Sequence, residues 1–185
     1  MDSKKISVFM IDDHSIVRNG IRMMIDTTDD ITIASEAENA EEGLRVLHKE
    51  IFDVLLLDIG LPGMNGFDLL KKLHISHPDL PILMLSMYPE ETYGPRALKF
   101  GASGYLGKNS PLETLTSAIR TVAGGGKHFS PAVGMPVAIS NERIRDLDPF
   151  PTPDGGLSCD RPFSVAVYRV LPSMESVRLS NARLS

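Results

Sequence analysis

The sequence predicts an α/β fold: a doubly wound sheet of five parallel strands with helices on both faces. Short apolar runs alternate five times with segments of helical periodicity over about 120 residues, the pattern of repeated strand–helix–strand units. The run Val54-Leu55-Leu56-Leu57 is unbroken, as a strand buried on both faces of a parallel sheet must be. Runs also stop at polar residues: Asp12 and Asp13, Asp58, Ser86 and Lys108. In such a sheet these ends share one edge, the edge where open α/β sheets bind ligands.

The elements follow in order. Ile6–Ile11 is the first strand, and Ile16, Val17, Ile21, Met24 and Ile25 then recur at helical spacing. Ile31 to Ser35 is a short strand rich in β-branched residues. Asn39 with Glu42 three residues on reads as a capping box, and Ala40, Leu44 and Leu47 mark the second helix. The third strand ends at Asp58, and Ile59 to Gly66 reads as a tight loop punctuated by Pro62 and three glycines. Phe67, Leu70 and Leu73 give the third helix, and Pro81 to Ser86 the fourth strand. Tyr93, Ala97 and Phe100 give a weaker fourth helix, and Gly104 to Gly107 a brief fifth strand. Ser110-Pro111-Leu112-Glu113 reads as a helix start with Ser110 as the cap. Leu112, Leu115, Ile119 and Val122 line that helix until Gly124-Gly125-Gly126 stops it.

Composition narrows the class. Apolar residues make up 42% of the 185, enough for a core, and the net charge of −5 does not suit a chain devoted to nucleic acid. Cys159 is the single cysteine, so an internal disulfide is excluded and a reducing cytoplasm is expected. The opening apolar run is too short for a signal peptide, and no run approaches the roughly 18 residues of a membrane span.

Three clustered carboxylates repel one another unless a cation joins them. A hard divalent ion such as Mg²⁺ suits oxygen ligands and often accompanies a phosphate. One carboxylate can then attack phosphorus to give an aspartyl phosphate. The ion, Lys108 and the Ser86 hydroxyl would each hold a phosphoryl oxygen.

The residues resemble the response-regulator receiver domain of two-component signalling. The resemblance rests on Ile11-Asp12-Asp13-His14, on Leu57 to Gly66, on Leu85-Ser86-Met87 and on Gly104-Tyr105-Leu106-Gly107-Lys108. It covers residues 5 to about 124 and is nearest the NarL-type subgroup, whose output is a LuxR-type helix-turn-helix. It implies a flavodoxin-like sheet of strand order 2-1-3-4-5. By resemblance, Asp58 is the phosphoacceptor. Mg²⁺ is bound by Asp13 and Asp58 through side chains, by the Gly60 carbonyl, and by Asp12 through water. Ser86 is the switch hydroxyl, Tyr105 the switch aromatic and Lys108 the phosphate-contacting lysine. The implied partner is a sensor histidine kinase, and a homodimer is left open. Gly60 departs mildly from the family, but a carbonyl ligand needs no side chain.

The competing class is an enzyme, an aspartate-nucleophile phosphohydrolase on a similar sheet. Such enzymes place Asp-x-Asp after the first strand and enclose small substrates under a cap. Here Asp12 and Asp13 are adjacent, the lone acid follows the third strand, and no cap segment is present, so a non-enzymatic switch is favoured. A third reading is a stand-alone receiver that acts by protein contact. His14, His48, His74, His77 and His128 do not form a zinc pattern beyond the isolated pair His74 and His77, and His14 reads as a surface neighbour of the acids. Met10, Met23, Met24, Met64, Met84 and Met87 read as core filler.

The predicted division is a receiver over 1–124, a linker over 125–156 and a disordered or remnant output segment over 157–185. Lys127 is the last lysine; basic residues number 13 through residue 130 and 6 after, acids 18 and 6, so the tail is neutral. Leu157-Ser158-Cys159-Asp160-Arg161 loosely resembles the opening of a LuxR-type domain, but Pro162 and Pro172 break the helical pattern such a domain requires. The 29 residues from Leu157 fall below the roughly 40 that fold unaided. Specific DNA binding by this chain is therefore not expected. A reading-frame shift in an ancestral output domain explains the break, and a natural disordered tail is the alternative.

Overall fold

The computed structural model describes residues 5–134. The expectations for the tail beyond them lie outside the described residues. Five strands form one sheet in the order β2-β1-β3-β4-β5: β1 (Ile6–Ile11), β2 (Ile31–Ala37), β3 (Val54–Asp58), β4 (Ile82–Ser86) and β5 (Gly104–Gly107). Every pairing is parallel. Helices α1 (Ser15–Ile25), α2 (Ala40–Leu47), α3 (Gly66–Ser76), α4 (Glu90–Lys99) and α5 (Leu112–Ala123) make the crossovers, and the short α6 (Pro131–Gly134) follows. The predicted fold class, strand count and strand order hold.

Side chains alternate across the sheet, so each central strand feeds two cores. Leu55 and Leu57 of β3 join Phe9, Phe67, Leu69, Leu70 and Tyr105 on one face. Val54 and Leu56 join Val8, Ile21, Ile25, Leu115, Ile119 and Val122 on the other. Both faces of β3 and β4 are fully covered, which is why their sequences are continuous apolar runs. Each leucine so buried contributes about 1.5–3 kcal/mol.

Local chemistry sets the element ends. The Asn39 side chain accepts from the Glu42 N–H at 2.9 Å, while Glu42 reaches back to the Glu38 N–H at 2.9 Å. The box thus closes one residue earlier than its usual form. After α5, Gly126 N–H donates to Thr121 O at 2.9 Å and Gly125 N–H to Val122 O at 3.0 Å. With Gly125 at φ 80°, this is a Schellman stop.

Several expectations need correction. Ser110 does not cap α5. Pro111 takes the cap position with extended backbone and no side-chain cap bond forms, because the helix begins one residue later, at Leu112. β2 runs two residues past Ser35, since Glu36 and Ala37 still pair with Met10 and Ile11. Ile16 is 86% exposed, and Met23 and Met87 are exposed as well. The buried stripe of α1 is instead Arg18, Ile21 and Ile25.

The segment after α5 returns to the sheet. His128 N–H donates to Ser103 O at 2.9 Å, and Tyr105 N–H donates to His128 O at 2.9 Å. Ser130 N–H donates to Glu90 Oε1 at 2.7 Å. Val133 is buried, its methyl groups facing Gly94. Among the described residues no helix is long and apolar enough to cross a membrane.

Candidate functional site

The strand register collects the polar residues. Ile11 pairs with Leu57, Asp58 with Leu85, and Ser86 with Gly107. The ends of β1, β3, β4 and β5 therefore meet at one edge. Asp12, Asp58 and Ser86 are buried there, whereas Asp13 and Gly60 are exposed.

Lys108 is the hinge of the arrangement. Its N–H donates to Ser86 O at 2.8 Å, which continues the β4–β5 ladder and turns the side chain inward. The ammonium lies 2.7 Å from Asp12 Oδ2 and 2.7 Å from Asp58 Oδ2. Neither Oδ2 takes a well-directed hydrogen bond, so the ammonium offsets charge without saturating these atoms. Desolvation pushes the Asp58 carboxyl above its ordinary range; Lys108 opposes the shift and Asp12 adds to it.

The β3–α3 loop holds Asp58 by close backbone packing. Gly66 N–H donates to Ile59 O at 2.9 Å. A Cβ on Gly66 would stand 2.0 Å from the Asp58 carbonyl oxygen, so only glycine fits. Asn65 caps α3 by accepting from the Asp68 N–H at 3.0 Å. A Cβ on Gly60 would lie 3.7 Å from Asp58 Oδ2, which puts the Gly60 backbone beside the carboxylate.

On the other side, Asp12 Oδ1 accepts from the His14 N–H at 2.8 Å. His14 Nδ1 lies 2.7 Å from Asp13 Oδ1. Donor atoms of Asp12, Asp13, His14 and Asp58 all fall within 4.8 Å of one another. An oxygen-rich set with unsaturated buried carboxylate oxygens fits a hard divalent cation.

Ser86 and Tyr105 both bond to the backbone of Tyr88. Ser86 Oγ accepts from the Tyr88 N–H at 3.0 Å, and the Tyr105 hydroxyl donates to Tyr88 O at 2.9 Å. Burial pushes the Tyr105 hydroxyl up to about 12.

The structure brings together all the residues that the sequence placed at this edge, with Gly60 present through its backbone. Sequence reasoning missed Arg18. It is buried, donates from Nη1 to Asp12 O at 2.6 Å, and pairs with Glu36 at 3.3 Å and Glu38 at 2.5 Å. Its signal was its place in the stripe with Ile21 and Ile25, three and four residues apart. In the sequence Gly66 reads as turn punctuation only; its close approach to Asp58 has no sequence signal.

Residues 8–120 match the sequence profile of the response regulator receiver domain. The chain is 33% identical over 136 residues to the response regulator GacA of Pseudomonas viridiflava, covering 74% of this chain and 64% of GacA. It thus spans a little under two thirds of that relative's length. A LuxR-family two-component response regulator from Aurantimonas sp. SI85-9A1 superposes with a TM-score of 0.65 at 28% identity, covering 70% of this chain and 93% of that one. The isolated REC domain of RcsB from Salmonella enterica serovar Typhimurium, solved in the presence of phosphomimetic BeF3-, gives 0.64 at 26% identity, covering 70% and 96%. With more than half of its length matched to the profile and this edge of carboxylates, hydroxyl and ammonium in place, the chain belongs to the response regulator receiver domain family.

Proposed function

We propose that the chain is a phosphorylation-operated switch in which Asp58 accepts a phosphoryl group from a sensor histidine kinase. The observation that carries this reading is the buried Asp12–Lys108–Asp58 cluster at the strand edge. An Asp58 carboxylate oxygen bonds to phosphorus as the donor's N–P bond breaks, and the departing imidazole takes a proton from solvent. Mg²⁺ would be held by Asp13, Asp58 and the Gly60 carbonyl, with Asp12 acting through water; when bound it supplies positive charge for the phosphoryl oxygens. Lys108 holds one of these oxygens, and the Ser86 hydroxyl donates to another.

Ser86 then carries the signal. Turning its hydroxyl toward phosphate withdraws the acceptor of the Tyr88 N–H. Tyr88 O in turn holds the Tyr105 hydroxyl. A local change of one acceptor thereby reaches the face made by α4, β5 and α5. The output served is transcription control in LuxR-type relatives; residues 1–185 themselves do not hold a specific DNA site, because the sequence after residue 130 carries no net positive charge. A salt-dependent, sequence-specific shift of a promoter fragment by the purified chain would refute that last point.

The decisive measurement is labelling with acetyl phosphate, read by intact mass or Phos-tag gel, with and without Mg²⁺. Labelling of wild type only with Mg²⁺, and none of Asp58→Asn, is expected. Equal labelling of both proteins overturns the assignment. Steady hydrolysis of phosphomonoesters, lost in Asp12→Asn but kept in Asp58→Asn, would favour an enzyme instead.

A further inference from the structure

The acidic edge carries one donor that the switch mechanism does not use. His14 closes the β1–α1 turn as the residue before α1, yet its side chain does not cap the helix. Its Nδ1 faces the carboxylates instead, 2.7 Å from Asp13 Oδ1, 3.2 Å from Asp12 Oδ1 and 3.8 Å from Asp58 Oδ2. In an octahedral ion with ligands at about 2.1 Å, adjacent ligand atoms stand about 3.0 Å apart and opposite ones about 4.2 Å. The separation from Asp58 lies between those values, that from Asp12 close to the adjacent one, and that from Asp13 is shorter than either. A second observation points to a ligand: Asp58 Oδ2, on a nine-tenths-buried side chain, faces His14 Nδ1 and takes no well-directed hydrogen bond, with the Lys108 ammonium as its counter-charge.

We propose that His14 Nδ1 joins Asp13 and Asp58, with Asp12 acting through water, in a mixed nitrogen–oxygen ligand set that gives this pocket added affinity for first-row transition ions such as Mn²⁺ and Ni²⁺. This rests on the reading of the pocket as a divalent-cation site. Imidazole adds little for Mg²⁺, which prefers oxygen, but raises affinity along the series toward Ni²⁺. On coordination, Nδ1 supplies its lone pair to the ion. The side chain is 59% exposed, so the ring can adjust without disturbing the core.

The test uses the full chain and bare metal ions at one fixed pH. Calorimetric titration of wild type and His14→Ala with Ni²⁺ and with Mg²⁺ reads the ratio of affinities. Removing the imidazole is expected to weaken Ni²⁺ by on the order of tenfold or more and Mg²⁺ by less than about twofold. Pulsed EPR on the Mn²⁺-loaded protein is expected to show ¹⁴N modulation in wild type and none in His14→Ala. The other four histidines are common to both proteins, so their background cancels. Asp58→Asn separates the two readings. If it abolishes Mg²⁺ binding while wild type shows no ¹⁴N signal and an unchanged Ni²⁺ ratio, the cation site stands and the His14 ligand is refuted. If wild type binds no divalent ion at all, both fall.

Discussion

The Tyr105 hydroxyl donates to the Tyr88 carbonyl at 2.9 Å, tying β5 to the loop between β4 and α4. Deleting that hydroxyl leaves the ring's packing in place. Tyr105→Phe is expected to lower stability by about 1 kcal/mol in urea denaturation. Asp58 labelling should persist, while phosphorylation-dependent NMR shifts over α4, β5 and α5 should shrink. Undiminished shifts in the variant would break the proposed link from Ser86 through Tyr88.

Arg18 joins three elements. It ties α1 to the Asp12 carbonyl and to Glu36 and Glu38 at the end of β2. Replacing it by Met keeps the bulk but leaves the Asp12 carbonyl and the largely buried Glu36 without that cation. Arg18→Met is expected to cost on the order of 3 kcal/mol, read from urea midpoints. A change under about half a kcal/mol would show that Arg22, also paired with Glu36, suffices alone.

Two glycines should respond in opposite directions to alanine. At Gly66 the added methyl would meet Asp58 O at 2.0 Å and Ile59 Cα at 2.8 Å, both backbone. Gly66→Ala should therefore cost on the order of 3 kcal/mol and weaken divalent-ion binding. At Gly20, inside α1, nothing lies within 4 Å of the added methyl. Gly20→Ala should stabilise by about 0.5–1 kcal/mol. Thermal melts of the pair check the contrast.

Asp58 gives a pH signature. Its carboxyl is held above the ordinary value, chiefly by desolvation, so the native state binds the proton more tightly than the unfolded chain. That contribution is full below the ordinary carboxylate value of 3.8 and is lost as pH rises through the folded value. In divalent-free buffer Asp58→Asn should raise the urea midpoint at pH 7, with a gain that shrinks toward pH 4. A gain that instead grew on acidification would contradict the sign.

The sequence made the strands and the polar edge legible because a doubly covered parallel strand leaves little choice of residue. Leu55, Leu56 and Leu57 must be apolar, and the first polar residue after them, Asp58, must lie where the sheet meets its loops. What escaped was set by geometry at single residues. Ile16 fits a helical spacing yet faces solvent, because Arg18 takes its place in the stripe. The Ser110 cap failed because Pro111 keeps extended backbone and shifts the helix start. Tyr105 reads as packing until the carbonyl it reaches, seventeen residues earlier, is known.

The return of the chain at His128 has a consequence for how the protein behaves in a crowd. β5 is the outermost strand on its side of the sheet, and the Tyr105 N–H on its open side is satisfied by His128 O. A chain cut after Gly126 would lose that partner and offer a bare strand edge to its neighbours. Self-association by edge-to-edge pairing is the usual outcome of such an edge. Residues 127–134 thus act as a selvedge on the sheet, and any shortened form that is to keep this edge covered needs to retain them.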